Sequence, residues 1–357
     1  MKTKFIIAPL AFAIVLAGCN RTLQPPEPQP AATAAPPAAN STQAVPPSTP
    51  PPATTGGFDA ARAYQHTRFL VELGPRPPGS DAIHKAQAYI SEQLKSDGCQ
   101  VSEQDFTGHT ALGDIAMKNI MAFAPGKKSD IVLYGAHYDT VRMPNFVGAN
   151  DGAGGAGVLL ELARQFCARK NGLTVWMAFF DGEEAQGSWP DKNSIQWTSG
   201  NSTMGSREMA ARMSLSGDLK RTRAMILVDM VAGRDSKLKR DTDSTHWLSD
   251  LVWGVAARLG YQKFFVSEMQ TVGGDDHFSF IKRGVAATDL VDMYPYWHTP
   301  QDTLDKLDPQ YMGITGHVLL ETLPELEKKM SLSDLSADHG DRSARQRKLH
   351  VGLCLER

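Results

Sequence analysis

A surplus of either charge is missing from this chain. Lys and Arg number 37 against 39 Asp and Glu, a formal net charge of -2, and no basic cluster interrupts the central sequence. Phosphate backbones are bound through clustered cations, so nucleic acid is excluded as a partner. Cysteine is scarce, four in 357 residues. None stands among the polar strand ends described below, so the thiolates that mark a structural zinc site are absent from them. The glycine-rich stretch at 148–155 fits neither GxGxxG nor a phosphate loop, and no Gly-Lys-Ser/Thr follows it, which removes the nucleotide-binding signatures. There is no internal repeat. One apolar run, residues 5–15, opens the chain, and it is too short to cross a bilayer stably.

Lys2 and Lys4 precede that run and Leu16-Ala17-Gly18-Cys19 follows it, the layout of a signal peptide over 1–19. The last four residues resemble a bacterial lipobox. That implies cleavage before Cys19, lipidation of its thiol and attachment to a membrane, and Asn20 in place of aspartate favours the outer membrane, facing the periplasm. The alternative is an ordinary signal peptide with an incidental cysteine. Residues 20–57 are mostly Pro, Ala, Thr, Gln and Ser and cannot build a core, so they read as a disordered tether. Residues 58–329 then make one α/β domain, expected to be monomeric, and the charged, aperiodic residues 330–357 a disordered tail. An oxidising compartment permits disulfides. Cys99 can pair with Cys167, but with Cys354 also present the spacing does not choose.

Within the domain, helical periodicity predicts helices over 59–73, 83–94, 158–168, 247–259 and 310–326, the last ended or kinked at Pro324. Gly74-Pro75-Arg76-Pro77-Pro78-Gly79-Ser80 is a rigid turn. Short apolar runs predict strands over 100–106, 118–123, 131–134, 174–180, 224–228 and 285–291. The polar residues that carry chemistry sit just past these runs. His137 and Asp139 follow the third, Asp181, Glu183 and Glu184 the fourth, Asp229 the fifth and His298 the sixth, with Asp151 at a glycine-rich helix entry. In a mostly parallel sheet such ends converge, and ligands bind there. Two adjacent glutamates are costly to keep ionised unless a cation holds them. One can then bind metal while the other moves protons. Mixed carboxylate and imidazole donors suit zinc. The polar insert 186–203 carries Trp189 and Trp197, which either wall a pocket or pin the loop.

The ordered set GPRPPGS, GAHYDT, GANDGAGG, DGEEA, the Asp229 strand end and WHTPQDT resembles the zinc aminopeptidases of the M28 type. The resemblance implies a three-layer α/β/α sandwich with a central mixed, mostly parallel sheet. Three details are more similar to animal-type glutaminyl-peptide cyclotransferases: the Trp189 insert after DGEEA, paired Asp275-Asp276 before His277, and Trp297 directly before His298. Carried over, the resemblance implies one zinc held by Asp151, Glu184 and His298. Glu183 becomes the proton shuttle, Asp229 and Asp275 hydrogen-bonding partners near the reacting groups, and Trp189 and Trp297 pocket walls. The substrate is then the N-terminal glutamine of peptides or proteins, closed to pyroglutamate with release of ammonia. His137 and Asp229 also complete the donors for a second metal, which keeps open an aminopeptidase that hydrolyses N-terminal residues. A third reading is a binding lipoprotein without activity, against which the intact Glu183-Glu184 pair stands. Asp289 occupies a position where the animal enzymes have histidine.

Overall fold

The computed structural model describes residues 46, 48–187, 198 and 200–353, with 332–353 described by their backbone alone. In chain order the elements are α1 (Ala60–Glu72), α2 (Asp81–Ser96), β1 (Gln100–Thr110), β2 (Gly113–Ala124), β3 (Gly126–His137), α3 (Ala153–Ala168), β4 (Asn171–Phe180), α4 (Met204–Ser216), α5 (Asp218–Arg221), β5 (Thr222–Val228), β6 (Leu238–Asp241), α6 (His246–Arg258), β7 (Phe265–Gln270), α7 (Phe278–Ile281), β8 (Ala287–Leu290) and α8 (Pro309–Leu353). Six strands make one sheet in the order β1-β2-β4-β3-β5-β8, and β6 and β7 form a small parallel pair. β2 runs antiparallel to both its neighbours, β1 and β4, whereas β4, β3, β5 and β8 are mutually parallel. The sheet is therefore mixed and mostly parallel at the end that carries the acidic strand ends.

Period-two alternation divides the core between the two faces of this sheet. Val132, Tyr134 and Ala136 of β3, with Ala224, Ile226 and Val228 of β5, join the large cluster shared with α1, α3, α6 and α8. Leu133, Met225 and Leu227 point the other way, into a second cluster with Met209 and Met213 of α4 and Phe280 of α7. Helices thus cover both faces, as the three-layer reading requires.

Several local expectations change. The first two strands are longer than the apolar runs that announced them, because 100–124 is a regular hairpin whose outer half is exposed. α4, α5, β6 and β7 are additional, and their short or polar segments carry little periodicity. The tether is not free over its whole length. Ser48 Oγ donates to Asp308 Oδ1 at 2.7 Å, and Thr55, 2% exposed, donates to the Phe58 carbonyl at 2.6 Å. An added Cβ at Gly313 would lie 2.7 Å from Pro50, so this end of the proline-rich segment is seated on α8. α8 itself runs through Pro324 and on to Leu353, where a disordered tail was expected. Its apolar face, Leu319, Leu320, Leu323 and Leu326, is buried on both sides of the proline, and packing outweighs the lost hydrogen bond. Extending an existing helix also costs less than starting one.

Cys99 and Cys167 form a disulfide, with Cα atoms 5.3 Å apart and a sequence separation of 68. Cross-linking a loop of that length removes chain entropy from the unfolded state worth about 4 kcal/mol. The Cys99→Ser/Cys167→Ser variant is therefore expected to lose about 4 kcal/mol in urea unfolding. A change below about 1 kcal/mol would show that the bridge contributes nothing by this route. Cys19 and Cys354 lie outside the described residues.

Candidate active site

The parallel strands deliver the site. His137 ends β3, Asp229 follows β5, and the turn after β4 carries Asp181, Glu183 and Glu184. These acids do not share one role. Asp181 Oδ2 accepts from Gln87 Nε2 at 3.2 Å and from the Lys118 amide at 3.0 Å, which ties it to α2 and β2 away from the cleft. The Glu183 and Glu184 amides instead donate to Asp139 Oδ1 and Oδ2 at 3.2 and 3.3 Å. One carboxylate thus clamps the glutamate turn, and the same Asp139 lies 3.5 Å from His137 Nδ1. Asp139 thus faces both partners and is placed to orient them.

Asp151 is fixed by its backbone. The Asn150 and Asp151 amides donate to Asp302 Oδ1 and Oδ2 at 2.9 and 3.0 Å, and Asn150 Oδ1 accepts from the Ala232 amide. Gly152 follows with φ of 93°, and a Cβ there would meet the Asp139 carbonyl at 2.5 Å. Only glycine accommodates both demands. A Cβ on Gly155 would lie 2.2 Å from the Val228 carbonyl, so α3 enters directly against the end of β5. His298 has φ of 51° and Met230, after Asp229, φ of 45°. Side-chain-bearing residues in the left-handed region cost free energy and persist where surrounding structure enforces them.

The result is two overlapping donor sets. Asp151, Glu184 and His298 bring one ligand atom each within 4.8 Å of one another, and so do His137, Asp151 and Asp229. His298 Nε2 lies 3.1 Å from Glu184 Oε2 and 3.5 Å from Asp151 Oδ2. His137 Nε2 lies 3.2 Å from both Asp151 Oδ1 and Asp229 Oδ1. Asp151 is common to both sets. Glu184 Oε1 and Asp151 Oδ2 are buried and meet no hydrogen-bond donor. Buried carboxylate oxygens without donors are the mark of a cation site, and the donor chemistry fits zinc.

A cleft of about 160 Å³ opens over these donors, lined by Asp151, Glu183, Asp229, Asp275 and His298 and walled by Met230, Val272, Met293 and Trp297. Trp297 stacks on His298, centroids 4.2 Å apart at 24°, and is 37% exposed, so it forms part of the cleft wall. Trp189 and Trp197 lie outside the described residues. Glu183 is buried, and desolvation with the nearby Asp275 charge pushes its carboxyl well above the usual range. Asp151 is held low: burial opposes ionisation, but hydrogen bonding to His137 and the His298 charge outweigh it.

Sequence reasoning missed Arg76. It is fully buried and donates to the carbonyls of Tyr138 at 2.8 Å, Leu70 at 3.3 Å, Val147 at 2.6 Å and Gly148 at 2.9 Å. Its only signal was a cation among prolines and glycines. The cluster of Asp241, His277 and Asp289 behind Asp275 was also not foreseen as a unit.

The protonation pattern gives a test of the metal-free protein. Burial raises Asp229 to about 7 against the attraction of His137, and raises Asp302 to about 6. Burial opposes charge on His298, but Glu184 and Asp151 outweigh it and raise it to about 9. Each group binds a proton in the folded state over a window where the unfolded chain has lost it: from 3.8 upward for the two acids, from 6.5 upward for the imidazole. Stability therefore falls as pH rises through those windows. Metal-free protein is expected to melt lower at pH 9 than at pH 6, and added zinc to restore more at pH 9 because it replaces the protons. Melting that is flat with pH would refute this assignment.

A model of peptidase family M28 matches residues 119–323. The chain belongs to this family. Glutaminyl-peptide cyclotransferase from Bos taurus is 30% identical over 278 residues, covering 67% of this chain and 74% of the relative. The crystal structure of an Acidobacteriales bacterium glutaminyl cyclase superposes with a TM-score of 0.71 at 32% identity, covering 76% of this chain and 96% of that one. A Zn-dependent exopeptidase from Parabacteroides distasonis superposes with a TM-score of 0.68 at 26% identity, covering 74% and 98%. The M28 chain thus lies among glutaminyl cyclases, with the exopeptidases as structural neighbours.

Proposed function

We propose that this M28 protein is a zinc-dependent glutaminyl-peptide cyclotransferase acting on the N-terminal glutamine of peptides or proteins. The observation that carries the reading is the buried Glu183 beside Asp275 in a small cleft walled by Trp297, directly above the Asp151, Glu184 and His298 donors. An N-terminal glutamine holds both reactants, its α-amine and its side-chain amide. Closing the ring forms a C–N bond at the side-chain amide carbon, Cδ, and breaks that carbon's bond to the amide nitrogen, which leaves as ammonia with no water consumed. Asp151, Glu184 and His298 would hold one zinc, which when bound supplies Lewis-acid polarisation of the γ-carbonyl. Glu183 accepts the proton that the amine gives up and returns it to the leaving nitrogen. Asp275 and Asp229 accept hydrogen bonds from the amine and hold it over the carbonyl. Trp297, Met293 and Val272 exclude water, which would otherwise hydrolyse the amide.

The second donor set, His137, Asp151 and Asp229, favours one other reading, a two-metal aminopeptidase in which Glu183 activates water. A chain lacking residues 1–40, loaded with zinc and given a Gln-Xaa dipeptide, separates the two by mass spectrometry. Loss of ammonia with the peptide bond intact is the expected product; free glutamine and Xaa would overturn the cyclase. Metal analysis of the same sample gives the ion count, for which we expect one.

The Leu-Ala-Gly-Cys19 ending supports a lipid anchor at Cys19 and a place on the periplasmic side of the outer membrane. The Cys99–Cys167 disulfide fits an oxidising compartment. Mass spectrometry of the mature N-terminus and membrane fractionation test this, and an unlipidated Cys19 would refute it. We expect the catalytic domain to be monomeric, which light scattering checks.

A further inference from the structure

Behind Asp275 the fold buries a group of acids that the reading above does not use. Asp289 on β8 is 1% exposed, and Asp241 on β6, Asp275 and His277 before α7 are buried too. Asp275, His277 and Asp289 each bring a polar atom within 4.8 Å of the others. His277 Nε2 lies 3.3 Å from Asp241 Oδ2, while its Nδ1 is 3.7 Å from Asp289 Oδ2. Asp241 has its own donors: Ser244 Oγ at 2.9 Å and the Val272 amide at 3.3 Å. Ser244 Oγ in turn accepts from the Asp289 amide at 3.0 Å. Both Asp289 carboxyl oxygens, in contrast, are buried and receive no hydrogen bond among the described residues.

The titratable groups facing Asp289 are Asp229 after β5, Asp241, Asp275 and His277. The nearer His277 nitrogen faces Asp241, and neither ring nitrogen hydrogen-bonds Asp289. Two carboxyl groups facing each other without a donor between them are stable only if one carries a proton. We propose that Asp289 is a positioning residue: as a neutral carboxylic acid it donates a hydrogen bond to Asp275 and leaves the other Asp275 oxygen aimed at the substrate amine. Burial and the facing Asp275, Asp229 and Asp241 charges push the Asp289 carboxyl well above the usual range, in agreement. The inference rests on Asp275 being the amine's partner, as read above.

Two substitutions separate the roles. Asp289→Leu removes the donor; Asp289→Asn keeps a donor that cannot ionise. Loss of a hydrogen bond to a charged group predicts a fall in kcat/KM of roughly 10- to 100-fold in Asp289→Leu, at unchanged zinc content, with most of it restored in Asp289→Asn. The alkaline limb of the wild-type pH profile should move upward in Asp289→Asn, because the acid that ionises there is gone. Infrared difference spectra at neutral pH should show a protonated carboxyl band in the wild type that Asp289→Asn lacks. Absence of that band overturns the proposal even if no cyclase activity is found, so its failure is distinct from failure of the functional reading. An unshifted alkaline limb overturns it even if the leucine variant does not fold. One metal ion fewer in Asp289→Asn than in wild type would also overturn it, because a cation and not a proton would then neutralise the cluster.

Discussion

Glu183→Gln is expected to lower kcat by roughly 10²- to 10⁴-fold while leaving KM and zinc content close to wild type. Glutamine keeps the volume and one hydrogen-bonding oxygen but cannot take a proton, so the variant isolates proton transfer from packing. Glu183 suits that task because burial and the Asp275 charge raise its proton affinity toward the working pH range, where a shuttle can both accept and release. Its backbone is independent of its side chain, since the Asp139 carboxylate holds the Glu183 and Glu184 amides. The turn should therefore survive the substitution and Glu184 should still bind metal. Glu184→Gln is the contrast, because it should lose zinc along with activity. A Glu183→Gln enzyme with near wild-type kcat would remove Glu183 from the chemistry and leave it a structural partner of His137, 3.8 Å away.

Arg76→Met should cost about 3–5 kcal/mol in stability and weaken zinc binding, although Arg76 touches no donor atom of the site. Burial lowers this guanidinium to about 10, against Asp139 and Asp302, so it stays charged at neutral pH. Three carbonyls along the segments that deliver Asp139 and Asp151, those of Tyr138, Val147 and Gly148, converge on it together with that of Leu70 on α1. Methionine fills the space of the stem but takes the guanidinium donor from those carbonyls; Gly148 keeps the Ala153 amide, and each carbonyl left unpaired costs about 1–3 kcal/mol where water cannot reach. Lysine should not rescue, because one ammonium cannot reproduce the planar fork that reaches several acceptors at once. Urea unfolding and a zinc titration measure both effects, and a variant within 1 kcal/mol of wild type would show that the loop holds itself.

Much of the site could be read along the chain because its logic is local. Each buried strand announces itself as an apolar run, and the first polar residues past the run stand at the carboxyl end of the sheet. His137, Glu183, Glu184 and Asp229 were placed that way, and parallel pairing of β4, β3 and β5 brings them together. Asp151 and His298 needed the motif order as well, since both sit on loops whose paths depend on Asp302 and on left-handed backbone. The three-layer sandwich was legible for the same reason: apolar runs alternating with amphipathic helices have few ways to cover a parallel sheet.

What the chain by itself determined is therefore the set of chemical groups and the face of the sheet that displays them. Tertiary structure decided their partners. Which acid of DGEEA would turn toward Gln87, which cysteines would meet, how Arg76 would gather four carbonyls and how the proline-rich segment would dock on α8 all depend on contacts across long sequence separations. So does the unpartnered Asp289 behind Asp275. No periodicity encodes such contacts, because each is fixed only when elements remote in sequence have packed and water has been excluded between them.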